Sequence, residues 1–328
     1  MSAEIKALLI AEGGVQIDER LLGRITTPTS GPGAGLKSFF FRFGTQRVRL
    51  GIKKGSRYTA TLEGDDVVIR EGQREIIRGR LEDALAHCPE QAYITVSERC
   101  IFDCKYCPVP LLEGQVKSIS DVKDIIAEIE GIPTLRSQLK AISLTTGVEK
   151  SAEEEIERIA EVVRGIKQFN VPIGVAVYPT TDSSRLLKEA GATEIKYNVE
   201  TVDKEIFNKV CPGLSLEAIC AALSDAVERF GKNHVFSNIL IGLGESDKSV
   251  ITGMEKLARL GVIPILRAVV EHPLRAQQVE MHRPSAERLL YLARKEREIL
   301  DKHGLRADVA ATMCALCTGC DLIPHRDV

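Results

Sequence analysis

The chain has 328 residues, 44% hydrophobic and 27% charged, with a formal net charge of -2. That is ordinary globular composition, long enough for one large α/β domain plus a small extra one, and the near-neutral charge speaks against a nucleic-acid partner. No run reaches the roughly 18 apolar residues of a membrane span, and the opening stretch, with Glu4 and Lys6, lacks the features of a secretory signal, so the expected setting is cytoplasmic with no membrane contact. Residues 1–90 read as a small β-rich domain. β-formers cluster or alternate over 38–44, 47–52, 58–62 and 67–70, the last behind a turn signal at Gly64, which predicts a small antiparallel sheet with hairpins. Residues 81–86 read as a short helix leading into the next domain. The stretch from Gly31 to Ser38 falls short of a phosphate loop. Leu36 separates Gly35 from Lys37, and Pro32 removes one amide, so it reads as a flexible connection.

From about residue 91 the rhythm alternates strand and helix. Strands are predicted over 92–96, 139–145, 171–178, 194–198, 235–241 and 262–269, mostly apolar runs suited to burial on both faces. Helices are predicted over 121–130, 152–168, 183–190, 216–230, 247–260 and 285–303. Repeated right-handed βα units make a parallel sheet, and this number of strands points to a partial (β/α)6 TIM-like barrel over 91–305. Ligands in such folds gather at the carboxyl ends of the strands. The acidic run Glu153-Glu154-Glu155 reads as a solvated helix start at the positive dipole end. Residues 306–328 form a Cys-rich C-terminal tail.

Nine cysteines in such a chain read as metal ligands rather than disulfides, and six of them fall in two clusters. Cys100, Cys104 and Cys107 follow the first barrel strand at its ligand-binding end. Three thiolates so close together can hold three corners of a [4Fe–4S] cube, and no fourth ligand follows at short spacing, which leaves one iron open to a small molecule. Zinc is the competing reading, but a structural zinc site wants a full protein ligand set with a distant second pair. Cys314, Cys317 and Cys320 have spacing that suits three corners of a second cluster, with zinc or a redox-active thiol tail as alternatives. Its fourth ligand is left open among a distant cysteine, a serine and the substrate. Cys88, Cys211 and Cys220 stand alone and read as small buried apolar side chains.

The run Cys100-Ile-Phe-Asp-Cys104-Lys-Tyr106-Cys107 resembles the signature of the radical S-adenosylmethionine enzymes. Further elements resemble the family at successive strand ends. Thr145-Thr146-Gly147 stands where the family has a Gly-rich segment that meets the methionine amino group. Tyr197-Asn198-Val199-Glu200-Thr201 is similar to an element of biotin synthase-like members that contacts ribose and methionine. Ile241-Gly242-Leu243-Gly244-Glu245 looks like the element beside adenine. The resemblance covers roughly residues 91–300 and implies a cluster on Cys100, Cys104 and Cys107. It also implies S-adenosylmethionine contacts at Tyr106, Thr145, Thr146, Gly147, Asn198, Glu200, Gly242 and Gly244, with Arg267 as a carboxylate contact for cofactor or substrate. The bland alternative is that Glu200 caps a helix and the glycines only turn the chain. The implied chemistry is reductive cleavage of S-adenosylmethionine to a 5′-deoxyadenosyl radical, which removes hydrogen from an unactivated carbon. No catalytic residue beyond the clusters is assigned.

A tail after the barrel strands can fold across the open barrel mouth and set a second [4Fe–4S] cluster, the auxiliary cluster, against the substrate carbon. That cluster would donate sulfide or relay an electron. Lipoate and biotin synthases insert sulfur, but typical lipoyl synthases place their auxiliary cysteines before the radical triad, whereas here they follow it. The runs from Glu90 to Cys100 and from Cys317 to Pro324 look similar to the two-protein lipoate synthases of archaea and some bacteria. That resemblance implies an octanoylated carrier protein or peptide as substrate, a second radical S-adenosylmethionine protein as partner, and a reductant such as ferredoxin. The alternatives are a radical enzyme of another type (rearrangement, methylation or peptide modification) with an electron-relay cluster, and a non-catalytic assembly protein. The N-terminal part would dock the carrier or cover one end of the barrel. Arg267, His272, Arg275, His282 and Arg283 form a polar group near the expected site, with both histidines read as surface residues.

Overall fold

In the computed structural model, which describes residues 2–328, the chain begins with helix α1 (Ser2–Glu12) and a short strand β1 (Gly14–Ile17). Strands β2 (Ser38–Phe43), β3 (Gln46–Ile52), β4 (Tyr58–Glu63), β5 (Asp66–Glu71) and β6 (Arg74–Glu82) follow. They close into a barrel in the order β1-β3-β2-β6-β5-β4, rather than the antiparallel sheet expected. The reason is β1, which inserts parallel to both β3 and β4 and joins the two edges. Closure leaves no exposed edge to aggregate. Alternation along β2 sends Phe39, Phe41 and Phe43 into the barrel core, while Phe40 faces outward against Cys88 and Cys317. The helix expected over 81–86 is absent. Leu81 pairs with Phe41 in the β2–β6 ladder, so strand pairing overrides local propensity.

The second unit is a six-stranded sheet of β7 (Gln91–Thr95), β8 (Ala141–Thr145), β9 (Ile173–Ala176), β10 (Glu194–Lys196), β11 (Val235–Ile241) and β12 (Ile263–Ala268). Every pairing is parallel and the order follows the sequence. Helices α2 (Ile119–Gly131), α3 (Pro133–Arg136), α4 (Ala152–Ile166), α5 (Ser183–Ala190), α6 (Lys204–Val210), α7 (Leu216–Phe230), α8 (Asp247–Leu260) and α9 (Ala286–His303) connect and flank the strands. Caps mark their starts. Ser118 and Asp121 form a reciprocal capping box on α2, and Ser151, Ser215, Ser246 and Ser285 cap four others. All residues of β11 are buried, as a two-faced parallel sheet requires. The sheet stays open between β7 and β12, a partial (β/α)6 barrel. The small barrel packs over that side, sharing one apolar cluster with Ala268 and α9 and another with Tyr93 of β7.

The tail does not cross the barrel mouth. Glu194, the first residue of β10, accepts from the Ala311 and Thr312 amides at 2.8 and 2.9 Å and from Thr312 Oγ1 at 2.5 Å. Gln91, the first residue of β7, donates to the Met313 carbonyl at 3.0 Å, and Ser143 Oγ accepts from the Met313 amide at 3.0 Å. Glu194 and Gln91 open their strands, and Ser143 is the middle residue of β8. The tail, with its short helix α10 (Met313–Cys317), therefore plugs the barrel from below, drawn by buried polar groups that must find partners. Among the described residues no helix is long and apolar enough to cross a membrane.

Candidate active site

The upper triad lies on the loop after β7. Several bonds hold that loop: the Ile101 amide donates to Val148 O at 2.7 Å and the Lys105 amide to Val210 O at 2.8 Å. Arg275, 1% exposed, donates through Nε to Cys107 O at 2.7 Å and pairs with Asp103 at 2.7 Å. Gly147 explains why the end of β8 can touch the loop: a Cβ there would stand 2.2 Å from Arg99 O and 3.1 Å from Cys100 Cβ. Thr146 Oγ1 accepts from the Ser97 amide at 3.1 Å and donates to Glu155 at 2.5 Å. Glu155 is therefore not part of a solvated helix start. It is buried, and burial pushes its carboxyl up.

A cavity of about 370 Å³ opens beneath the triad, within the small-molecule range. Cys100, Cys104, Cys107 and Tyr106 form its roof, with Thr145, Thr146 and Gly147 beside them. Asn198, Glu200 and Asn238 line its wall. Asn238 Oδ1 is buried and has no hydrogen-bond partner among the described residues. Glu200 sits at φ 58°, a left-handed conformation unusual for this residue type, held by bonds from its amide to Asn238 O at 3.0 Å and from the Leu240 amide to its carbonyl at 2.7 Å. Burial pushes its carboxyl up, against the Lys196 charge and hydrogen bonds from Tyr106 and Asn198. It does not cap α6; Asp203 does. A nucleoside presents hydroxyl and amine donors, and this wall supplies matching acceptors.

Burial also pushes up the thiols of Cys100 and Cys107, the latter to about 12. Cys104 is raised by hydrogen bonding with Cys211 and by burial. Thiolates at such positions need a cationic partner, as iron supplies. Among the described residues no three His, Cys, Asp or Glu side chains converge on a single-ion site. A cube asks for something different, one thiolate on each of several irons.

Two expected contacts lie elsewhere. Gly242 and Gly244 are outside the cavity lining. Gly242, at φ 117°, would place a Cβ 2.3 Å from His282 O, and Glu245 accepts from the Gly242 and Leu243 amides at 2.8 and 2.7 Å. The segment is a self-bonded turn. Arg267 lines the cavity, but its guanidinium grips Asp321 at 3.0 and 2.5 Å and donates to Cys314 Sγ at 3.3 Å. It serves the tail rather than a free carboxylate. Of the two histidines only His282 is exposed; His272 is buried and accepts from the Leu274 amide at 3.2 Å. Arg283 ties α1 to the residue after β12 through Ile10 O and Val269 O.

The tail cysteines Cys314, Cys317 and Cys320 line the same cavity. Lys196 Nζ donates to Cys314 Sγ at 3.2 Å, and Arg47 Nη1 donates to Cys317 O at 3.0 Å. Cys317 is pulled down to about 7 by a hydrogen bond with Cys88, against burial, with help from the Arg47 charge. His87 is pushed down to about 3 by burial and by Arg49, Arg267 and Lys196. Cations thus crowd this lower site. Sequence reading missed Cys88, Lys196 and Arg47, which belong to no motif and reach the site only through the fold.

Residues 94–257, half of the chain, match the family model of the Radical SAM superfamily. A biotin synthase of Hydrogenobaculum sp. (strain Y04AAS1) is 28% identical over 240 residues, covering 67% of this chain and 71% of that protein. The ribosomal protein uS12 methylthiotransferase RimO of Campylobacter jejuni is 28% identical over 111 residues, 33% of this chain and 25% of its own length. Among solved structures, methylornithine synthase (PylB) shares the fold with a TM-score of 0.53 at 18% identity, over 63% of this chain and 62% of that one.

Proposed function

This chain belongs to the radical S-adenosylmethionine superfamily, and we propose that it inserts sulfur into an unactivated carbon, as a lipoyl synthase-type enzyme acting on an octanoylated carrier protein or peptide. The observation that carries this reading is that both cysteine triads, from distant parts of the chain, line one cavity. When bound, the [4Fe–4S] clusters and S-adenosylmethionine supply an electron, a 5′-deoxyadenosyl radical and sulfide. Cys100, Cys104 and Cys107 hold the upper cluster, and Arg275 and Gly147 fix their loop. Asn198, Glu200 and Asn238 take the nucleoside. Cys314, Cys317 and Cys320 hold the lower cluster, and Lys196 and Arg267 donate to the Cys314 sulfur. Val148, Ala176 and Leu240 add apolar wall suited to a fatty chain and keep water from the reacting carbon. A substrate carbon in this cavity would lie between the cysteines that would hold the two clusters.

The names of two relatives, a biotin synthase and a methylthiotransferase, support sulfur chemistry. A second radical S-adenosylmethionine protein and a ferredoxin-type reductant complete the proposed system, in the cytoplasm, where thiols stay reduced. One observation favours a second reading. Hydrogen bonds to a cluster sulfur tune its potential, so Lys196 and Arg267 would equally suit an electron relay. The test is anaerobic turnover of octanoylated carrier peptide with reductant and S-adenosylmethionine, using protein reconstituted with isotopically heavy sulfide. Heavy sulfur in the peptide, read by mass spectrometry, is the expected result. Formation of 5′-deoxyadenosine with an unchanged peptide would leave the relay reading, and no cleavage at all would remove both.

A further inference from the structure

We infer that Cys88 is the fourth protein ligand of the cluster held by Cys314, Cys317 and Cys320. The inference rests on the reading of the tail as a cluster site and completes its ligand set. Cys88 lies where the small barrel meets the sheet, more than two hundred residues from the tail in sequence. It is 1% exposed, packs against Cys317 and Phe40, and lines the cavity together with the tail triad.

The backbone around it is fixed. Cys88 O accepts from the Leu85 amide at 3.1 Å, and Cys88 forms a β-bridge with Gln91. Gln91 in turn donates to Met313 O at 3.0 Å. The segment carrying Cys88 is thus tied to the residue that precedes Cys314. A cube held by four thiolates is an anion, and the surroundings answer that charge. Lys196 and Arg267 reach Cys314 Sγ at 3.2 and 3.3 Å and Arg47 reaches Cys317 O at 3.0 Å; Asp321 pairs with Arg267, and Glu82 and Glu90 pair with Arg47, which leaves Lys196 as the cation with no carboxylate partner among the described residues. The other buried lone cysteine, Cys211, is equally buried and neighbours Cys104, but it lies outside the cavity lining, with the Tyr106 hydroxyl 3.8 Å away. The two sites are therefore unlike: the upper keeps an iron free for a small molecule, and the lower has all its irons on cysteine.

The test uses the full chain with Cys100, Cys104 and Cys107 all changed to Ala, so that only the lower site can load. Anaerobic reconstitution of this parent should give about four irons and four sulfides per chain. Mild oxidation should leave that cluster intact. Adding Cys88→Ala or Cys88→Ser should let the same oxidant remove one iron, with about three remaining and a three-iron electron paramagnetic resonance signal appearing. Cys211→Ala in the same parent should change nothing. The serine variant keeps the volume of the site if alanine disturbs folding. Alkylation mapping needs no Cys88 variant: Cys88 should be protected in the loaded parent and labelled after chelation. Unchanged iron content and resonance spectrum in both Cys88 variants would overturn the assignment. So would a Cys88–Cys317 disulfide in anaerobically prepared protein. A parent that takes up no iron and sulfide would instead remove the cluster reading of the tail, and the ligand assignment with it.

Discussion

Cys104 and Cys317 face one cavity from opposite sides, so their removal should separate two reactions. Cys104→Ala should abolish 5′-deoxyadenosine formation. Cys317→Ala should leave S-adenosylmethionine cleavage largely intact and stop sulfur transfer. Chromatography of the nucleoside and mass spectrometry of the acceptor peptide check both; full sulfur transfer by Cys317→Ala would take the tail out of the mechanism. At this scale the legible residues were those close together in sequence. The spacing of each triad is visible because its members share a loop. Cys88 and Lys196 meet Cys314 and Cys317 only through the fold, and no local pattern marks them. Glu155 misled for a related reason. Acidic residues at a helix start usually face water, but the Thr146 hydroxyl donates to this one in the interior.

The elements around the site carry two further expectations. Two residues beyond β8, Gly147 has backbone at 2.2 Å where a side chain would begin. Gly147→Ala must shift the triad loop, at about 1–3 kcal/mol of stability, and should lower iron content in the upper site; normal iron loading would show that the loop tolerates the shift. On α9, Glu296 is fully buried, and neither carboxylate oxygen has a partner among the described residues. Burial raises its carboxyl well above the ordinary 4.5, with the Asp321 charge adding to the effect. The native state therefore keeps a proton that the unfolded chain releases above that value. This contribution to stability is fully present below 4.5 and is lost as pH rises towards the folded-state value, by up to about 1.4 kcal/mol per pH unit. Glu296→Gln should remove that slope. Its melting temperature should match the parent near pH 4.5 and exceed it at pH 8, and parallel curves would refute the assignment. The sheet strands and their helices were legible because apolar runs and serine caps repeat along the chain. β1 and β6 were not. One has four residues, and the other carries charge on a half-exposed face.

Across the whole molecule, the small barrel seals the open side of the sheet, and the tail fills the barrel from below. The tail's contacts with Glu194, Gln91 and Ser143 are polar, Asp321 and Asp327 pair with Arg267 and Lys6, and Met313, Leu322 and Ile323 are buried; metal on its cysteines would add to this anchorage. Because metal binding to native ligands adds to folding stability, anaerobic removal of iron should lower the melting temperature. Protease sites should then open within 306–328 before any open in the sheet. An unchanged cleavage map after chelation would show that protein contacts alone seat the tail. The direction from which the tail enters was not readable. Spacing tells which thiols act together, while the end of the barrel they occupy depends on buried partners scattered over three strands.

The plug also constrains biogenesis. Cys88 and the tail triad lie on either side of the upper triad in sequence, so the lower ligand set is complete only after the tail has been made and has met the segment that carries Cys88. A cluster there would therefore form only on a chain in which the small barrel, the sheet and the tail have already come together.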